Sequence, residues 1–121
     1  MSENELRDAD CLFCRIVAGE VPADVVRDGE RTLAFRDIDP QAPTHVLVIP
    51  KAHHADTASL LVADPELAAV LLGDAAAVAE DEGLTAGGYR FVMNTGAGAG
   101  QTVFHVHLHV LGGRPMTWPP G

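Results

Sequence analysis

The chain has 121 residues, 47% of them hydrophobic, and its 8 Lys+Arg against 17 Asp+Glu give a formal charge of −9. That length suits one domain with a real core, the apolar fraction excludes a disordered tail, and the acidic balance opposes sequence-independent binding to nucleic acid or to an anionic membrane surface. A small anionic ligand fits such a field only where local donors, backbone N–H groups and imidazoles, overcome it.

Met1 to Asp10 is polar and acidic where a signal peptide would be basic and then apolar, and no run of about 18 apolar residues follows. Residues 1–10 read as a flexible leader to a single domain over 11–121, with the cytoplasm as the expected compartment. In that compartment the C-x-x-C spacing of Cys11 and Cys14 suggests metal or redox chemistry more than a structural disulfide. Cys11 to Ala18 places Leu12, Ile16 and either Phe13 or Val17 on a helical stripe, which predicts a short helix ending before Gly19.

Pro22 breaks that helix, Val25-Val26-Arg27 reads as a strand, and Asp28-Gly29 is a hairpin dipeptide leading into a second strand, Thr32 to Arg36. Pro40-Gln41-Ala42-Pro43 is a loop, because two of its residues have no N–H to give a ladder. His45 to Ile49 is a run of β-formers stopped by Pro50, consistent with a central strand. From Asp64 the period changes. Asp64 suits an N-cap and Pro65 the first helical position, while Leu67, Val70, Leu71, Ala75 and Val78 share one face of a main helix closing near Gly83. Gly73 inside it costs about 1 kcal/mol relative to alanine, so this helix leans on tertiary packing. Tyr89 to Met93 and Val103 to Leu111 complete the strands, joined by a loop over 94–101 that carries Gly96, Gly98 and Gly100. The predicted order α-β-β-β-α-β-β is α+β: an antiparallel five-stranded sheet with a short N-terminal helix and a long one on one side.

His105, His107 and His109 alternate with Val106, Leu108 and Val110, so on a strand the three imidazoles line one face and the aliphatics the other. Alternate strand residues are ~6.7 Å apart and the outer pair ~13 Å, whereas zinc needs each imidazole nitrogen within ~2.0–2.1 Å. One metal on all three is a poor reading. A central nucleophile or base flanked by two positioning groups is a better one. The glycine-rich loop just before them can turn its N–H groups toward a phosphate, although it is no P-loop, since neither Gly-Lys-Ser/Thr nor a helix follows. Plainer readings stand beside these: Asn94 could cap a strand end, Asp37 could be a solvated turn residue, and Trp118 in Trp118-Pro119-Pro120-Gly121 could only pin the tail.

Ala99 to Arg114, with the sequence AGQTVFHVHLHVLGGR, resembles the signature of the histidine triad (HIT) superfamily, and Met116 to Gly121 is similar to its Hint branch. Cys11-x-Phe13-Cys14-x-Ile16, Ala34-Phe35-x-Asp37-Ile38, Pro43 to Lys51 and Asn94 to Gln101 match further motifs, so the resemblance runs over residues 11–121. It implies a HIT-like fold and hydrolysis of purine nucleoside phosphoramidates, such as AMP joined to an amine, with no catalytic cofactor. On the matching positions His107 would attack the α-phosphorus and form a nucleotidyl-imidazole that water resolves. His105 and His109 would flank it, with His45 behind them in a supporting hydrogen-bond network. Asn94, the backbone of Gly100, Thr102 and His109 would hold phosphate oxygens. Asp37 would take the ribose hydroxyls, and Phe13, Ile16, Val21, Phe35, Ile38 and Leu47 would form an apolar slot for the base.

The chemistry agrees with that assignment, because an attacking imidazole needs one bare nitrogen and an anchor for its other N–H. Thr102 stands where the branch often has serine, and either Thr102 or His109 could protonate the leaving amine. The resemblance also implies structural zinc on Cys11, Cys14, His53 and His105, with His54 a further candidate beside His53; the competing reading is two free thiols packed near the helix. It further implies a homodimer, with the main helix or the Tyr89 to Met93 region at the interface and Trp118 reaching toward the neighbouring site. Two other functions share these residues, hydrolysis of dinucleoside polyphosphates and a nucleotide-binding adaptor. A thiol oxidoreductase lacks the strand-then-helix context of its C-x-x-C.

Overall fold

The computed structural model describes residues 7–121, so most of the expected leader over 1–10 lies outside the described residues. In chain order the elements are α1 (Leu12–Val17), β1 (Val25–Asp28), β2 (Thr32–Arg36), β3 (Thr44–Pro50), α2 (Thr57–Ala63), α3 (Pro65–Asp81), β4 (Tyr89–Val92) and β5 (Leu108–Gly112), with a single 3-10 turn at Ala97–Ala99. The five strands make one antiparallel sheet in the order β1-β2-β3-β5-β4. The architecture is the expected α+β one, and β3 is its centre. No helix among the described residues is long and apolar enough to cross a membrane.

Alternation along the strands sends side chains into two cores. Ala34, Val46, Val48, Leu108 and Val110 pack with Leu60 of α2 and with Leu67, Leu71, Ala75 and Val78 of α3. On the other face Leu33, Phe35, Leu47 and Ile49 pack with Phe13 of α1. The expectation of both helices on one side is therefore corrected: α1 takes the face opposite α3. Its stripe is also corrected, because Phe13 and Cys14 are buried while Leu12 is 44% exposed. The buried His45, His105 and His107 gather at this second face, and the site lies there.

α3 begins as its sequence requires, with Asp64 accepting from Leu67 N–H at 3.1 Å and Pro65 in the first turn. Leu67 is fully buried in the larger core, so Leu67→Ala is expected to lower unfolding free energy by about 2–5 kcal/mol, measured by urea denaturation. The helix α2 had no counterpart among the predicted elements. It presents only Leu60 to the core, too weak a pattern to reveal the 3.6-residue period, and its Asp56 cap, accepting from Ser59 N–H at 2.9 Å, is its clearest local signal.

The last strand begins at Leu108, not Val103. Upstream of it the ladder loses its partners: Pro50 has no N–H, its carbonyl accepts from His105 Nε2 at 2.7 Å, and Val106 N–H donates to the His54 carbonyl at 2.7 Å. His105 and His107 consequently sit on a bent approach to β5, and only His109 lies within the strand.

Candidate active site

The histidine alternation survives this bend. His107 stands edge-on to the Phe13 ring with centroids 5.2 Å apart, and 5.0 Å from the His109 ring, all on the face of the smaller core. Its Nδ1 lies 2.8 Å from the His105 carbonyl oxygen. A carbonyl only accepts, so Nδ1 carries a proton, and in the neutral ring Nε2 presents a bare lone pair.

A second chain of bonds fixes His109. Gln41 N–H donates to His45 Nδ1 at 3.0 Å, which leaves His45 protonated at Nε2, and that nitrogen lies 2.9 Å from His109 Nδ1. His109 Nδ1 therefore accepts, and His109 Nε2 carries a proton. This Nε2 is buried and has no partner. Burial, followed by the neighbouring His107 and His45, pushes His109 down to about 4, and burial also lowers His45 against the opposing pull of Asp37, so both rings are neutral at pH 7. Asp37 Oδ2 approaches His45 Nε2 at 3.5 Å, while its Oδ1 accepts from Asp39 N–H in a tight turn.

Beside these rings lies a cleft of about 280 Å³, lined by Phe13, Ile16, Phe35, Asp37, Ile38, Leu47, Thr102, His107 and His109, together with Leu12, Arg36 and Val103. Most of the expected nucleoside slot is thus brought together. Val21 is the exception, since it does not line this cleft. Ile38 stands at the rim and is wholly exposed, and Trp118, 83% exposed, lies outside the lining, its segment held by Arg90 donating to the Thr117 carbonyl.

The glycine loop is more self-contained than its sequence suggested. Gly96 and Gly100 have positive φ, +85° and +94°, which side-chain-bearing residues rarely adopt, whereas Gly98 falls within the 3-10 turn without one. Gly100 N–H donates to the Ala97 carbonyl at 3.1 Å, and a Cβ on Gly100 would stand 3.8 Å from Asn94 Nδ2. Sequence reasoning missed Gln101, which is buried and pins the whole loop: its Oε1 accepts from Gly96 N–H at 2.9 Å and its Nε2 donates to the Ala55 and Val103 carbonyls. A polar residue between a glycine run and an aliphatic run was its one available signal.

Behind His107, the ligand atoms of Cys11, Cys14, His53 and His105 lie within 4.8 Å of one another. His105 Nδ1 is 3.4 Å from Cys11 Sγ, 3.5 Å from Cys14 Sγ and 3.2 Å from His53 Nδ1. A tetrahedron with zinc bond lengths has S–N edges of ~3.5 Å and N–N edges of ~3.3 Å, so these atoms fit such an ion. His105 donates its other nitrogen to Pro50, which turns the Nδ1 lone pair inward, and Asp8 N–H and Cys14 N–H point at Cys14 Sγ and Cys11 Sγ, each at 3.4 Å. Burial pushes the Cys14 thiol up to about 11, and a bound cation would oppose that shift. His54 is not in this group. Its carbonyl takes Val106 N–H.

Residues 18–116 match the HIT domain model. The chain belongs to the HIT family. This HIT protein is 47% identical over 118 residues to the 14 kDa zinc-binding protein of Zea mays, covering 96% of this chain and 91% of that one. It is 40% identical over 107 residues to the purine nucleoside phosphoramidase of Escherichia coli, covering 88% and 90%. Among solved structures, a HIT family hydrolase from Legionella pneumophila superposes with a TM-score of 0.89 at 55% identity, covering 93% of this chain and all of the other.

Proposed function

We propose that this HIT protein hydrolyses purine nucleoside phosphoramidates through a covalent nucleotidyl intermediate on His107. The observation that carries the reading is the opposed pair of tautomers: a bare Nε2 on His107 and an unpartnered Nε2–H on His109, with rings 5.0 Å apart at one end of an apolar cleft. One attacks phosphorus, and the other donates to an oxygen on it. The 40% identity to a purine nucleoside phosphoramidase supports the substrate class.

In this mechanism the base lies between Phe13, Ile16, Phe35 and Leu47, the ribose reaches Asp37, and the phosphate meets Thr102 and His109. His107 Nε2 bonds to phosphorus as the P–N bond breaks. The bond's electron pair stays on nitrogen, which takes a proton from solvent water and leaves as the neutral amine, and the water that later resolves the intermediate returns a proton to solvent. The positive charge that develops on the His107 ring is stabilised through its Nδ1–H by the His105 carbonyl. Water then displaces the nucleotide, and the imidazole regains its lone pair. A neutral imidazole holds its last proton tightly, so His109 acts by hydrogen bonding rather than by delivering that proton. Asn94 and the Gly100 amide would join the phosphate site once the ligand draws Gly100 N–H from Ala97.

Cys11, Cys14, His53 and His105 would hold zinc, where its chemistry would be structural: tying α1 to the chain on either side of the histidines. The identity to a zinc-binding protein supports that reading. A homodimer belongs to the same proposal, since β4 ends the sheet with one edge unpaired. Offering adenosine phosphoramidate and diadenosine polyphosphate to one preparation tests the function. The expected outcome is a kcat/KM at least about tenfold higher for the P–N substrate; the reverse order would establish the polyphosphate activity instead.

A further inference from the structure

We propose that the Cys11, Cys14, His53 and His105 cluster positions the nucleophile, so that zinc in the cluster and nucleotide in the cleft strengthen each other's binding. The inference rests on the zinc and nucleotide readings above, and goes beyond a structural role for the metal.

Two links join the sites. The first is His105, whose ring faces the cluster through Nδ1 while its own carbonyl oxygen holds His107 Nδ1 at 2.8 Å. Whatever orients His105 therefore orients the proton on His107, and through it the bare Nε2. The second is Phe13, placed in sequence between the two cysteines. Its ring lies edge-on to His105, His107 and Phe35, with centroids 5.9, 5.2 and 5.5 Å away, and it also forms a wall of the cleft.

The short helix carrying Phe13 is the weak member of this arrangement. Six residues are far fewer than a helix needs to persist in water, and no strand ladder holds α1. Its order comes from Phe13 and Cys14 packed on the smaller core face and from the cluster itself. Zinc would fasten α1 through Cys11 and Cys14 to His53 and His105, and a nucleotide would fasten the same helix through Phe13 and Ile16. Each ligand then finds α1 already ordered by the other. Linkage requires that the two factors be equal.

Zinc affinity of the wild-type chain is to be titrated with and without saturating AMP, and AMP affinity with and without zinc, alongside nitrogen NMR of 15N-histidine-labelled protein. The expected result is a mutual tightening of about tenfold, within the range that groups supporting a metal's ligands usually exert. His107 is expected to hold the Nδ1–H tautomer alone when zinc is bound, and to populate both tautomers after chelation. Phe13→Leu, which keeps all four ligands and the His105 carbonyl bond to His107 but removes the aromatic link, is expected to lower the mutual factor severalfold, to the part carried through His105 alone. Equal affinities in all four titrations, with one His107 tautomer throughout, would overturn the proposal. So would a coupling that appears only as the methyl signals of Val46, Val48 and Val110 collapse, since the metal would then be a requirement of folding. Elemental analysis keeps the ligand reading separate: less than one zinc per chain refutes the metal site itself, whatever the nucleotide does.

Discussion

His107→Ala is expected to lower kcat for phosphoramidate hydrolysis by about 10⁴-fold or more, the scale on which removing a covalent nucleophile acts, while AMP binding stays within a few-fold of wild type. The asymmetry follows from what the ring touches. Phe13, Ile16, Phe35 and Leu47, which would hold the base, are anchored by α1, β2 and β3 and do not depend on the His107 side chain for their positions. The proposed nucleophile, His107 Nε2, has no substitute, because the His109 Nε2 carries a proton and His105 turns its ring toward the cysteines. Rapid quench with labelled substrate, followed by peptide mapping, should place the adduct on His107. Turnover within tenfold of wild type, or an adduct on another residue, would refute the mechanism.

For His109→Ala the expected loss is about 10²–10³-fold in kcat, the cost of removing one preorganised donor from the developing phosphate charge. His109 Nε2 is buried without a partner, an expensive state for a polar group unless a ligand completes it. The same ring has a stability signature. Folding lowers His109 from 6.5 to about 4, so the unfolded chain binds the proton more tightly. The stability it contributes is complete above about pH 6.5 and lost as pH falls toward 4, a span of about 3 kcal/mol for a shift of this size. Thermal melts between pH 7 and 4 should therefore show a steep decline in wild type and a shallower one in His109→Gln. Equal slopes would mean that His109 is not held neutral in the folded chain. If kcat fell less than fivefold in His109→Ala, the donor role would pass to Thr102.

The difference between these variants shows how much of the site the sequence carried. Alternation of His105, His107 and His109 with Val106, Leu108 and Val110 needs only the two-residue period of extended chain, so their shared face was legible without coordinates. The same holds for α3, whose Asp64 cap, Pro65 and apolar face are local signals. What the three rings do was not legible. Their tautomers are set by Pro50, by Gln41 acting through His45, and by the His105 carbonyl, and His45 stands 64 residues from His109 in the chain. Gln101 escaped notice because its partners, Ala55 and Gly96, meet it only in the folded loop.

Local signals in the chain specify the α+β class, four of the five strands nearly to the residue, and the grouping of an imidazole row beside a glycine loop, because periodicity, caps and breakers act over a few neighbouring residues. Tertiary structure alone decided that α1 crosses to the face opposite α3, that the last strand opens at Leu108, and that His53 rather than His54 joins the cysteines. Each of those outcomes depends on where a hydrogen bond or a buried ring finds a distant partner, and chain-local preference carries no information about that choice.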